Sequence, residues 1–579
     1  AGLSDAVAIA AGPIHSLALL HKLPTLTVPT AIGMTQTSAV LGAGVTWRNG
    51  DAPLTERGTL WGAEPDPTEH MLAEGGVAVG AYRHERTGLP AGTLIHVRGY
   101  AVNSQGTHYS ADGSFWTIPP EPEVQTAGSV APTSFSAQWL AAPGATNYLL
   151  DVSTNAAFNS FVSSWGTVNS NRSVGNVTAY TVSGLSPNVP YYYRVRAQNS
   201  SGTSGNSGTI AVTTTPAAPT ASAATGISTE GFTANWSVSA GATNYLLDVA
   251  TSTSFVDFVG GYSNCVLGNV TAWPVTGLAA NGAYYYRVRS QGGGGTSGNS
   301  GTITVWTTLA PPAALAATGN RATGFTANWL ASAGATSYRL DISTNEFFAD
   351  YVSGYSNCYV GNVTNREVNG LAASCLYYYR VRAVNSHSTS ADSDVMAIMT
   401  VPAAPAAQAA SDISESGFTA NWAVSAGATN YLLDVATNSG FTTFVDGYQD
   451  LSCGDVGAAP VAGLAAGMNY YYRVRAQNSG GTSTNSGATM ITTIPAAPVA
   501  GAATAVTETS FTANWAASTG ATNYSLDVAT DDGFESFVDG YQNRSVGTAI
   551  FQSVAGLSPD TTYYYRVRAQ NSGGTSSDS

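Results

Sequence analysis

The sequence predicts an all-β chain, a linear array of six small antiparallel sandwiches of which the last lacks its final strand. Three observations carry this reading. The block YYYRVR begins at 191, 284, 377, 470 and 563, each start 93 residues after the one before. A Trp closes a short alternating run ahead of every block, at 139, 236, 329, 422 and 515. Pro- and Ala-rich joints such as TTTPAAPTA and TTIPAAPVAGAA separate the copies. In a chain of 579 residues a period this regular outranks every other clue.

Composition excludes several function classes. Charged residues are 10% of the chain, the net charge is −14, and Lys22 is the single lysine. No basic patch invites nucleic acid or an anionic membrane surface. No run of 18 apolar residues exists, so no membrane span is expected. The chain opens at Ala1 without an initiator Met or a signal peptide, which reads as a processed protein or a segment of a longer one.

Taken in order, residues 1–22 form an N-terminal extension with two β-like runs, Ala6–Ala11 and Ile14–Leu20, broken at Gly12-Pro13. The phrase VAIAAGPIHSLAL resembles the closing strands of an RCC1-type propeller repeat, one partial repeat only. Residues 23–118 alternate short apolar runs with Gly/Pro/Asp turns and predict one divergent β-domain. The five copies follow at 122–216, 217–309, 310–401, 402–495 and 496–579. In the second copy, period-two alternation puts Phe232, Ala234 and Trp236 on one face, and aligns Tyr245, Leu247 and Val249 inward. Tyr284, Tyr286 and Val288 point one way; Tyr285, Arg287 and Arg289 point the other. About seven short strands around a buried Trp suit a small sandwich.

The five copies resemble fibronectin type III domains. The Trp of the second strand, the Tyr of the third and the Leu-x-Pro-x-x-x-Tyr entry to the block strand carry the resemblance. That entry is intact as Leu185, Pro187 and Tyr191, and as Leu557, Pro559 and Tyr563. Residues 23–118 look like a divergent fibronectin type III or Ig-like module, with Ile95 where the first block tyrosine stands. The resemblance implies a fold and leaves function open, since the module serves adhesins, enzyme spacers and fibres alike. Short Pro/Ala joints favour stiff, extended connections, so six beads predict a rod on the order of 200 Å.

Chemistry is poorly served. Six of the seven His lie within residues 1–108, and His96, between Ile95 and Val97, reads as a surface residue and not as a metal ligand. The loop around Asp527–Asp532 lacks the oxygens calcium needs in most copies. No cofactor, metal site or catalytic cluster is expected, and the chain is read as non-enzymatic. The outward Tyr/Arg stripe (Tyr192, Arg194, Arg196) suits cross-strand and cation–π packing better than a glycan-stacking face. Sequons at Asn171, Asn176, Asn269, Asn362 and Asn543 are candidate glycosylation sites. Of four cysteines, only Cys358 and Cys375 share a copy and are a possible disulfide; small buried hydrophobes is the alternative.

The two ends carry the functional expectation. Copies one to four continue past the block into one more strand, such as GTIAVTTTP (208–216); the fifth stops at Ser579. The block strand from Tyr563 to Ala569, with Tyr565, Val567 and the core Trp515, is expected to be an open acceptor edge. Aligning Pro24 with Pro216 lays SLALLHKLP (16–24) on GTIAVTTTP, so Ile14, Leu17, Ala18, Leu19, Leu20 and Leu23 are the expected donor. Strand addition between copies is heterologous and need not close, which builds a filament. The chain is thus read as an extracellular or cell-surface structural subunit whose partner is itself, with surface glycans or other cell-surface proteins as further partners. The alternative is a spacer or adhesive stalk of a larger secreted adhesin or enzyme.

Overall fold

The computed structural model describes residues 6–11, 16–20, 22–46, 52–164 and 167–579, in two compact units, Ala1–Thr307 and Thr308–Ser579. All named elements are strands, in small antiparallel sheets.

The second copy gives the pattern. Strands A (Ala221–Thr225), B (Gly231–Trp236) and E (Ala272–Thr276) form one sheet. Strands C′ (Cys265–Val266), C (Asn244–Ala250), F (Ala283–Gly292) and G (Ile303–Trp306) form the other, with G on the edge of F. Phe232, Ala234 and Trp236 from one sheet bury against Tyr245, Leu247, Val249, Tyr286 and Val288 from the other. The alternation read from the sequence therefore sets the core. Trp236 packs on Tyr245 at 5.7 Å between ring centroids, a contact repeated in every copy.

The tyrosine at the head of strand F locks the preceding turn. Its hydroxyl accepts a backbone N–H five residues upstream: Ser186 to Tyr191, Ala279 to Tyr284, Ala372 to Tyr377, Ala465 to Tyr470 and Ser558 to Tyr563, all at 2.8–3.0 Å. The copies with Ala in place of Pro at this turn keep the bond, so the Tyr and not the Pro defines the corner.

Residues 23–118 repeat the same plan. Ser38–Thr46 pairs with Gly80–Thr87 in one sheet, while Leu54–Gly62, Leu94–Asn103 and Gly113–Trp116 share the other. Ile95 fills the corner-tyrosine position inside the core, with Phe115 opposite it.

At the N-terminus, Ala6–Ala11 pairs antiparallel with Ser16–Leu20 in a two-stranded sheet of its own. The extension is therefore a hairpin and not a lone strand. Among the described residues, Ser16–Leu20 has no partner on its other edge. An isolated hairpin is at best marginally stable in water. The disulfide considered between Cys358 and Cys375 does not form. All four cysteines are free thiols, Cys358 on the C′ strand and Cys375 just ahead of strand F, each with its Sγ near a neighbouring backbone carbonyl.

Candidate functional site: an open edge and the joints between beads

In the first four copies the head of strand F is covered by strand G. In the first copy Pro190–Tyr193 pairs with Ile210–Thr213, placing Val212 opposite Tyr191 and Ile210 opposite Tyr193. The corner Tyr is then 4–7% exposed, and the second Tyr of the same face, such as Tyr193 or Tyr286, is fully buried.

The fifth copy differs at this place. Its strands B (Ser510–Asn514), C (Asn523–Ala529), E (Phe551–Ala555) and F (Tyr564–Asn571) keep the common register. No strand among the described residues lies along the outer edge of Tyr563–Tyr565. Tyr563 and Tyr565 are half-buried, and Tyr564 is 40% exposed. A cavity of about 590 Å³ opens there, lined by Val506, Phe511, Leu557, Asp560, Tyr563 and Tyr565 among others. Strand A of this copy is reduced to isolated bridges, Ala500 to Trp515 and Thr504 to Thr512.

The opening is shorter than the sequence suggests. Trp515, Val567 and Ala569, expected to lie on an open side of the core, are buried. Ser576 and Ser579 cover that stretch, donating their N–H groups to Ala569 O and Val567 O at 2.8 and 3.1 Å. Of the edge expected to be an acceptor, only the Tyr563–Tyr565 end is left uncovered among the described residues. Of the expected donor residues, Ile14 lies outside the described residues. Leu17, Ala18, Leu19 and Leu20 sit on the second strand of the hairpin, and Leu23 is 43% exposed.

A second feature recurs at the joints. The Asn that ends strand F donates its side-chain N–H to the carbonyl of a Thr just past the preceding bead's G strand. Asn199 reaches Thr117 O at 2.8 Å, Asn478 reaches Thr400 O at 3.0 Å and Asn571 reaches Thr493 O at 2.8 Å. A Gly in the F–G turn lies against the next residue along: Gly202 on Ile118, Gly481 on Val401, Gly574 on Ile494. The Thr hydroxyl meanwhile closes its own bead's E–F corner, as Thr214 Oγ1 does on Ser186 O at 2.7 Å. The first bead makes the same joint with the N-terminal extension. Asn103 Nδ2 donates to Lys22 O at 3.0 Å, and Gly106 lies against Leu23.

The outward Arg pair of strand F is held by a group that the sequence reading passed over. Asp248, in strand C and 1% exposed, accepts from Arg287 Nε and Arg289 Nη2, both at 3.0 Å, and from the backbone N–H of Asn264 at 2.8 Å. Arg287 lies over the Phe255 ring at 4.0 Å, and Phe255 has φ +53°. The same Asp–Arg–Arg–Phe cluster occurs at Asp151, Asp341, Asp434 and Asp527. It was legible as one Asp and two Arg on the same face of neighbouring strands. The candidate glycosylation sites Asn171, Asn176, Asn269, Asn362 and Asn543 are all exposed, and Asn171 and Asn543 also accept from Arg196 and Arg568. His96 bonds Asp112 through Nδ1 at 2.6 Å. Among the described residues no group of three or more His, Cys, Asp or Glu is placed to hold a metal ion, and no helix is long and apolar enough to cross a membrane.

Two segments, 119–213 and 496–579, match the fibronectin type III domain family. The copies between them share their strand order and register. Among curated proteins the chain is similar to exoglucanase B of Cellulomonas fimi, 30% identical over 39% of this chain and 21% of that protein. It is also similar to chitinase A1 of Niallia circulans, 26% identical over 61% of this chain and 52% of the enzyme. A solved structure of chicken CNTN1 FN1–FN3 domains is 16% identical, covering 49% of this chain and 99% of that one with a TM-score of 0.21. The chain spans about half or less of the length of these curated relatives.

Proposed function

We propose that this chain is a structural subunit of an extracellular filament, joined head to tail when the N-terminal strand of one copy completes the fifth bead of another. The observation that carries the reading is the cavity along Tyr563–Tyr565, where the other copies hold strand G. Seating a leucine there contributes about 1.5–3 kcal/mol and an alanine methyl about 0.8 kcal/mol, against about 5–15 kcal/mol for a whole domain. An unfilled fifth bead is thus the weak bead, and an apolar strand with a free edge is its natural occupant.

Comparing the full chain with one lacking residues 1–21 tests this. The full chain should form concentration-dependent oligomers visible by light scattering and electron microscopy, and the shortened chain should stay monomeric. Equal assembly by both would overturn the reading. The curated relatives favour a second reading, a spacer between working domains of a larger secreted protein. In that case strand G comes from the same polypeptide, and a full chain that stays monomeric at every concentration favours it.

A further inference from the structure

Resting on that reading, we infer that the joints fix the register of the incoming strand and pair Lys22 of one copy with Asp560 of another. Lys22 receives Asn103 as Thr117, Thr400 and Thr493 receive Asn199, Asn478 and Asn571. Leu23 meets Gly106 as Ile118, Val401 and Ile494 meet their turn glycines. Residues 22–24 are therefore held on the first bead as the outgoing end of a G strand is held on the bead that follows it. Lys22 takes the position of Thr214, two residues past Val212.

Counting back from that position, Leu20 corresponds to Val212, Leu19 to Ala211 and Ala18 to Ile210. The first copy pairs these with Tyr191, Tyr192 and Tyr193, which correspond to Tyr563, Tyr564 and Tyr565. Leu20 and Ala18 then enter the cavity, and Leu19 stands outward beside Tyr564. A slip of one residue would turn Leu19 inward and expose its neighbours. The hairpin strand Ala6–Ala11 covers the far edge of the donor, extending the sheet by two strands and not one.

Charge supports the same register. The side chain past strand G turns to the E–F corner, where Thr214 bonds Ser186 O. At that corner the copies carry Asn188, Asn281, Ser374, Gly467 and, in the fifth alone, Asp560. The donor alone carries Lys where the internal joints have Thr, and it is the single lysine of the chain. The carboxylate borders the cavity. An opposite-charge pair at this corner selects the terminal joint over the neutral internal corners.

Two measurements on the full chain, with its four native cysteines replaced by Ser, test this. Mixed preparations carrying Leu19→Cys and Tyr564→Cys should cross-link under mild oxidation, while Leu17→Cys with Tyr564→Cys should not. A cross-link from position 17 alone overturns the register and leaves strand addition standing; no cross-link from either position sinks strand addition itself. Lys22→Glu should weaken assembly by about tenfold and Asp560→Asn should recover part of it, Asn being native at this corner in two copies. Assembly unchanged by Lys22→Glu overturns the pair.

Discussion

His84, in the bead at 23–118, bonds Thr59 Oγ1 through Nε2 at 2.7 Å. Burial holds its pKa below the ordinary value and the Arg86 charge adds to this, with Glu74 opposing. The unfolded chain therefore takes up a proton first as pH falls. The stability this group contributes is present above about pH 6.5 and is lost below it. Melting of this bead should fall between pH 7.5 and 5.5, and His84→Gln should flatten that dependence, as followed by amide exchange. Asp248 is a second residue-scale case. Removing it leaves two Arg that are 24% and 22% exposed, so solvent screens part of the cost. Asp248→Ala should destabilise the second copy by about 1–3 kcal/mol, read as faster exchange of its strand F amides. The cluster was missed because alternation sorts residues into inward and outward. Asp248 is outward on the sheet, yet its two Arg partners bury it.

At the scale of the strand, the sequence carried most of the fold. Tyr245, Leu247 and Val249, or Phe232 and Trp236, are inward because β-geometry has a period of two and only one face meets the other sheet. Pairing across the chain was less legible, since periodicity says nothing about which edge meets which. The Ala6–Ala11 partner of Ser16–Leu20 and the cover that Ser576–Ser579 gives to Val567 are both of this kind. Energies separate by role as well. Trp329→Ala leaves a large hole in the third core and should cost about 3–5 kcal/mol. Tyr377→Phe removes one corner hydrogen bond and should cost about 1 kcal/mol. Chemical denaturation of the full chain, resolved bead by bead with amide exchange, distinguishes the two.

Across the molecule, stability should be uneven. The fifth copy lacks the cover that keeps Tyr193, Tyr286, Tyr379 and Tyr472 fully buried elsewhere. In the unassembled chain its strand F amides near Tyr565 should exchange before those near Tyr472, and assembly should slow them. Equal rates in both beads would count against an open edge. Asn478 links the fourth bead to the end of the third at Thr400 O, so Asn478→Ala should raise exchange at that joint while leaving both cores intact.

The antiparallel pairing of strand G with strand F also decides how a bead meets tension. A pull on the joint beyond Thr213 drags G along F, lengthwise, so the ladder from Pro190–Thr213 to Tyr193–Ile210 is loaded all at once. Peeling the same ladder from one end would break its bonds one at a time and at lower force. A donor strand seated in the register of Val212 and Ala211 takes the pull in the same shearing direction. The contact between subunits would then resist stretching by the same geometry as the beads it connects.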